Sequence, residues 1–308
     1  MYNAELKLRY IEEKEATTCT PRNYLTRQFN KTQATEERLE KDLCCFTTYE
    51  TIDFYKALNI STVESLTVLN SHFVLYTDWC LKQNLIPDCQ NHFAELTIDT
   101  LMNCINKVAL QKSIVSKDQL YRWAAELMNP SDAFIIVALF EGIKGENFNE
   151  LVNLRISDFD GNKVKLCTGR ELIVSDKLIE LAKASDITEV YYAYGSATFR
   201  KYKFIPEDLI IKNYPNCQND SEGYHKGRRI YKRLMRIFDY FEVSNWMKAN
   251  SLTESGKIDY INTRSKELGI TGKEFMYSEY YKEISERFDC DFFLQRSSFY
   301  KKYGEYLV

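Results

Sequence analysis

The sequence predicts a mainly α protein with a small antiparallel β-sheet, divided into two domains. Apolar residues recur at helical spacing through roughly the first hundred positions; the pattern lapses over residues 111–115 and resumes behind a new capping signal; and a hairpin signature, Thr168-Gly169 between two short strand-like runs, lies in the second half. A chain of 308 residues also fits two domains at about 100–200 residues each.

In the first domain, residues 1–110, helices are expected over 3–13, 22–46, 48–58, 62–83 and 98–107. Phe73, Tyr76, Trp79 and Cys80 read as core residues of the fourth, with Pro87 as a stop beyond it. The second domain, residues 111–308, opens on Ser116-Lys117-Asp118-Gln119, the capped start of a helix. Another helix spans 129–140 with Pro130 in its first turn, and its stretch from Phe134 to Phe140 has no polar face, so it must be buried. Residues 163–167 and 170–174 form the hairpin, and Ser175-Asp176 caps the helix that follows. Short strands are expected at 199–204 and 209–212; from 222 onward the chain is helical, broken at Gly256, Gly269 and Gly272.

Composition narrows the functional classes. The chain has no apolar run of about 18 residues or more and no signal-peptide pattern at its start, so a soluble, cytoplasmic protein is expected. Nine cysteines, an odd number without a Cys-x-x-Cys pair, read as reduced thiols, mostly in the core. Three scattered histidines suggest no metal site, and Asp158 and Asp160, though spaced like ligands, are accounted for by turn chemistry. There is no phosphate-binding glycine loop and no nucleophile elbow, so neither a cofactor nor a metal is expected. The net charge of −3 argues against indiscriminate nucleic-acid binding, which shifts attention to how the charge is distributed.

Three steps in the second half carry a pattern: Gly142-Ile143-Lys144 at a helix end, Glu150-Leu151 at the start of the next, and Asp158-Phe159-Asp160 leading into the hairpin. The pattern resembles the tyrosine recombinases, the phage integrase family, in which the first step reads Gly-Leu-Arg. The stretch between Lys144 and Glu150 is longer than that family's usual spacing, and Lys144 stands where its first catalytic arginine would be. An ammonium does not replace a guanidinium that holds a phosphate at two points. The second arginine belongs to a His-x-Leu-Arg-His pattern, best matched here by Asn250-Ser251-Leu252-Thr253-Glu254, with Thr253 in the arginine's place and a carboxylate beside it. The resemblance implies a helical core-binding domain followed by a catalytic-type domain. It offers Arg170 as the hairpin cation and Tyr300, Tyr303 and Tyr306 near the nucleophile's position. With both arginines replaced no catalytic residues are assigned, since removing one charge-stabilising donor commonly lowers a rate by about 10²-fold or more.

Residues 225–236 carry six Lys or Arg and no acid. On a helix, Ile230, Leu234, Ile237, Phe238 and Phe241 share one face and Arg229, Lys232, Arg233 and Arg236 the other. Like charges at these spacings repel, and a polyanion relieves them. The segment therefore reads as a DNA contact through Lys226, Arg228, Arg229, Lys232, Arg233 and Arg236. Further candidates for the footprint are Lys144, Arg170, Lys201 and Lys203, the last two beside Arg200, and Arg22, Arg27 and Lys31 in the first domain.

The resulting expectation is a sequence-specific transcriptional repressor of a phage or prophage that binds double-stranded operator DNA on a recombinase fold without cutting it. A homo-oligomer on DNA and a protein antirepressor are the further partners such a role allows. Two other readings compete: an active integrase using Lys144, Arg170 and Tyr300, and an accessory factor whose basic helix meets an acidic protein.

Overall fold

The computed structural model describes residues 1–18, 20–85, 90–193, 200–213 and 223–308, the last segment without the side chains of 223–226. These residues form two compact units, Met1–Gln111 and Lys112–Val308.

The first unit is helical: α1 (Ala4–Thr18), α2 (Arg22–Leu39), α3 (Thr48–Ala57), α4 (Val63–Lys82), α5 (Ile98–Cys104) and α6 (Lys107–Lys112), the last running across the unit boundary. Thr47 and Glu50 make a reciprocal capping box at the start of α3, and Thr62 caps α4. The core is aromatic, with Tyr10, Phe29, Phe73 and Tyr76 all buried and Tyr76 edge-on to both Tyr10 and Phe29. One expected helix is cut short. The chain leaves α2 through Glu40 in the left-handed region, and a 3-10 turn, Leu43–Cys45, replaces the predicted continuation to residue 46. The cause is polar: the Glu36 carboxylate, fully buried against Lys7, accepts from the Leu43 backbone N–H at 2.8 Å, while Asp42 accepts from that of Cys44 at 3.1 Å.

The second unit is built around α8 (Pro130–Phe140), in which every residue from Ser131 to Phe140 is buried. Around it pack α7 (Lys117–Glu126), α10 (Asp176–Ile187), α11 (Gly223–Tyr240) and α12 (Ala249–Leu268). Ser116 and Ser175 cap α7 and α10 as their sequences suggest. A short α9 (Asn149–Val152) leads to a three-stranded antiparallel sheet, β1 (Phe159–Asp160), β2 (Lys163–Lys165) and β3 (Glu171–Ile173), with Val164 opposite both Phe159 and Leu172. Three residues, Cys167-Thr168-Gly169, link Leu166 to Arg170 where a two-residue turn was expected. Gly169 takes φ 89°, the left-handed position of such three-residue loops.

A second ribbon pairs β4 (Val190–Ala193), not foreseen from the sequence, with β5 (Arg200–Lys203), Tyr191 opposite Tyr202. Residue 199 of the expected strand lies outside the described residues. The strand expected over 209–212 does not form: Ile210 donates to the Leu154 carbonyl and accepts from the Ser185 hydroxyl, so its backbone groups go to a loop and a side chain. Nor does Gly256 break a helix. It sits inside α12, where a Cβ would come within 1.8 Å of the Phe140 carbonyl oxygen, so the glycine is there for helix-to-helix approach. The chain ends in α13 (Gly272–Tyr277), α14 (Tyr281–Phe288) and α15 (Phe292–Tyr303), and the Val308 carbonyl accepts from the Gly272 N–H at 2.8 Å.

Among the described cysteines Cys44, Cys80 and Cys104 are buried, Cys45 and Cys290 half-buried, and Cys167 exposed. Cys19, Cys89 and Cys217 lie outside the described residues. No described helix is long and apolar enough to cross a membrane, and no group of three His, Cys, Asp or Glu among the described residues could hold a metal ion. Asp158 instead accepts from the Arg155 N–H at 2.8 Å, closing a turn.

Candidate functional site

The residues matched to the two arginine motifs converge on one cavity of about 340 Å³. Its walls are the turn after α8 (Lys144, Gly145, Glu146), the first turns of α12 (Asn250, Thr253, Glu254, Lys257) and the α14–α15 junction, including Cys290 and Gln295. The turn can pass here because Gly142 and Gly145 take positive φ, 95° and 66°, and a Cβ on Gly142 would meet the Arg287 carbonyl at 2.3 Å.

Inside, the Lys144 ammonium donates to Asn250 Oδ1 at 2.9 Å. Burial and the neighbouring Lys257 push its pKa below the ordinary lysine value, with Glu254 opposing. Lys257, itself buried, is paired with Glu254 at 3.0 Å. Thr253 also lines the cavity, a neutral residue where the resembling pattern has a cation. The cavity therefore carries two ammonium groups, one already neutralised, and no guanidinium. Lys257, Cys290 and Gln295 were not picked out from the sequence. Lys257 follows Thr253 by one helical turn and could have been found by that spacing, whereas Gln295 belongs to another helix and carries no local signal.

Arg170 does not reach this cavity as a free hairpin cation. It grips Glu150 with Nε at 2.9 Å and Nη2 at 2.6 Å, and donates to the carbonyls of Glu286 at 2.7 Å, Arg287 at 3.0 Å and Gly142 at 3.1 Å. These five bonds match the five N–H donors of a guanidinium. Burial alone would raise the Glu150 carboxyl, but hydrogen bonds from Arg170 and Thr168, with the charge of Arg170, hold it below its ordinary value. The pair ties the hairpin to α9 and to the end of α14.

The three carboxy-terminal tyrosines also stay away from the cavity. Tyr300 packs edge-on to Tyr277 with Lys273 over its ring, Tyr303 is buried against Phe299, and the Tyr306 carbonyl accepts from Asn262. The α15 residue that does line the cavity is Gln295.

The basic segment forms α11, and its apolar face is buried as its spacing predicts, through Ile230, Leu234, Ile237 and Phe238. Its charged face is narrower than expected. Arg228, Lys232 and Arg236 are exposed, and Arg229 is half-buried with Nη1 donating to Asn213. Arg233 lies inside the protein, 4% exposed, where Nε donates to Asp132 at 2.6 Å and the guanidinium stacks 4.9 Å from the Tyr191 ring centre. A guanidinium so enclosed offers no donor to DNA, which corrects its place on the charged face. The side chain of Lys226 lies outside the described residues.

Arg233 joins the two basic elements of this unit. Asp132 accepts from Asn129, which exchanges hydrogen bonds of 2.8 Å with both the carbonyl and N–H of Tyr192, so α8 fixes β4 and, through it, β5. On β5, Arg200, Lys201 and Lys203 are exposed, with Lys201 over the Tyr192 ring at 5.4 Å. In the first unit Arg22, Arg27 and Lys31 lie exposed along α2; Arg22 is 3.5 Å from Glu12, and Lys31 donates to Gln28 at 2.7 Å.

This is the fold of the phage integrase family, a helical core-binding domain followed by a catalytic-type domain. The chain belongs to the MrpR family: the model described as MrpR, C-terminal catalytic domain, matches residues 114–303, and that described as MrpR, N-terminal core-binding domain, matches residues 1–82. A curated relative, the SPbeta prophage-derived uncharacterized protein YopR of Bacillus subtilis (strain 168), is 22% identical over 288 residues, covering 90% of this chain and 86% of YopR. A solved structure of a lambda integrase dimer bound to a COC' core site aligns with a TM-score of 0.44 at 15% identity, over 94% of this chain and 96% of that one.

Proposed function

We propose that this protein is a sequence-specific DNA-binding repressor of phage or prophage genes, built on the integrase fold and without strand-cleaving activity. The observation that carries the reading is the cavity at the recombinase position: Lys144 bonded to Asn250, Thr253 in place of an arginine, Glu254 beside it, and no tyrosine in the lining. Strand cleavage needs preformed positive charge around a phosphorane and a nucleophile within reach. Here one ammonium is neutralised by Glu254, and the hairpin guanidinium, Arg170, is fully engaged with Glu150 and three carbonyls.

Binding is supported by what lies on the surface. Arg228, Lys232 and Arg236 repeat every four residues on the exposed side of α11, and Arg200, Lys201 and Lys203 are exposed on β5. In this reading those groups hold phosphates and a few reach base edges, while Arg22, Arg27 and Lys31 of α2 extend the footprint. Residues 1–110 then act as the core-binding-like domain and 111–308 as the catalytic-like domain, and repression is steric. The YopR relative comes from a prophage, which agrees with a phage setting.

The test is binding of the purified chain to fragments of the genome that encodes it, against scrambled DNA of equal length, across a salt series. Selective binding that weakens steeply with salt is expected; binding no better than to scrambled DNA contradicts the proposal.

A further inference from the structure

A two-stranded ribbon is marginal on its own, so the cations of β5 have a fixed place only if something outside the ribbon holds it. Two arginines of α11, a helical turn apart, contribute to that hold. Arg233, 4% exposed, stacks its guanidinium 4.9 Å from the ring centre of Tyr191 on β4 and is anchored to α8 through Asp132 at 2.6 Å and the Ser131 hydroxyl. Arg229 donates to the Asn213 side chain, and the Asn213 carbonyl accepts from the Ile205 N–H at 2.7 Å, just beyond β5. A third tie comes from the start of α8. The Asn129 side chain donates to the Tyr192 carbonyl and accepts from the Tyr192 N–H, each at 2.8 Å. That is the exchange a facing residue makes across an antiparallel pair, so one amide stands where a further strand would lie. Asn129 also donates to Asp132 at 2.9 Å, which joins this tie to that of Arg233.

The ties converge on a strand that repels itself. β5 reads Arg200-Lys201-Tyr202-Lys203, with three exposed cations in four residues, and neither β4 nor β5 contains an acid. A buried guanidinium–carboxylate pair adds little stability over apolar packing of the same shape, but its directional bonds set a geometry. Basic elements held rigidly meet one duplex together, whereas a loose ribbon has to be ordered at the moment of binding, at a cost in affinity. We propose that Arg233 and Asn129 are positioning residues that lock the β4–β5 ribbon against α11, so that Arg200, Lys201 and Lys203 engage the same DNA duplex as the α11 cations. The proposal rests on the DNA-binding reading and divides the basic helix by role: Arg228, Lys232 and Arg236 meet DNA, while Arg229 and Arg233 aim the ribbon.

The test is the salt dependence of binding to a selectively bound genomic fragment. The DNA-competent fraction of each protein is measured by stoichiometric titration, so that unfolded protein is not read as lost contact. Asn129 makes no side-chain capping bond to α8, so Asn129→Ala removes the ribbon bonds and the link to Asp132 without uncapping that helix. In the unaltered chain, replacing Arg200, Lys201 and Lys203 together by Ala should lower the slope of log K against log salt by about 0.9 for each that touches phosphate. Asn129→Ala should lower it by a similar amount with all three cations present, and Arg233→Lys should act in the same direction. The triple replacement should then add nothing in the Asn129→Ala background, a non-additivity that a general loss of stability does not produce. Unchanged slopes in Asn129→Ala and Arg233→Lys, or full additivity with the triple replacement, would overturn the proposal. A triple replacement without effect on the slope would also overturn it, by taking β5 off the duplex while binding through α11 stands. Absence of selective binding by the unaltered chain would bring down the DNA reading and this proposal with it.

Discussion

Arg170 and Arg233 look on paper like the other cations of this chain, and the fold treats them differently. Each is drawn inward by an acid distant in sequence, Glu150 at a separation of 20 residues and Asp132 at 101. Nothing local announces either pair, which is why Arg170 reads as a hairpin cation and Arg233 as part of a charged face. Once a charge is buried with its partner, removing one member leaves the other uncompensated, at a cost of about 3–5 kcal/mol. Arg170→Ala should therefore lower the stability of the second unit by an amount in that range, seen as a lower urea midpoint, as should Arg233→Ala, whereas Lys232→Ala should leave it nearly unchanged. A uniform small effect across all three would contradict the assignment.

The Glu150–Arg170 pair also fixes the sign of a pH dependence. The folded-state pKa of Glu150 is below its ordinary value of 4.5, so the ionised carboxylate is favoured by folding. Its contribution is complete above the ordinary value and is lost as pH falls through the lower folded-state value. Urea midpoints of the unaltered chain should fall from about pH 5 downward, and the Glu150→Gln variant, less stable at neutral pH, should show a flatter profile over that window.

Among the elements, α11 is the most legible, because its apolar spacing places Ile230, Leu234, Ile237 and Phe238 inside, where they are found. The sequence does not reveal that Arg233, adjacent to Leu234, follows it into the core. The exposed positions Arg228, Lys232 and Arg236 give a quantitative expectation for DNA binding. Removing one phosphate-neutralising cation lowers the steepness of log K against log salt by about 0.9. Single alanine variants at these positions should each reduce the slope by about that much if all three touch phosphate, with selectivity falling further where a residue also reads a base. An unchanged slope in the triple variant would remove α11 from the interface.

The glycines of the helices mislead for a related reason. A glycine inside a helix costs about 1 kcal/mol relative to alanine, which suggests a break at Gly256, yet close contact with Phe140 outweighs that cost. Gly256→Ala should destabilise the chain despite alanine's better helix propensity. Gly227→Ala should do the same by forcing α11 away from Asn147. Thermal melts of both variants check this, and a gain in stability in either would contradict the close approach.

For the molecule as a whole, the division into a helical unit and a mixed unit is visible in the lapse of periodicity near residue 111, and the structure separates at Gln111 and Lys112. The candidate site is half legible. The motif residues Lys144, Asn250, Thr253 and Glu254 can be aligned from sequence, and they do meet in one cavity. The wall contributed by α14 and α15 could not be foreseen, because no local pattern distinguishes Gln295 from the tyrosines a few residues later. That wall presents Gln295 to the cavity, and none of Tyr300, Tyr303 and Tyr306 is in the lining.

The central claim is that this integrase fold holds DNA without cutting it. The most direct measurement is one electrophoretic assay on a selectively bound genomic fragment carrying a nick in the bound site, run in parallel under native and SDS conditions. A retarded complex is expected in the native gel that dissolves completely in SDS, unchanged by Tyr300→Phe. A protein–DNA adduct that survives SDS and disappears in Tyr300→Phe would contradict the claim and establish a working recombinase.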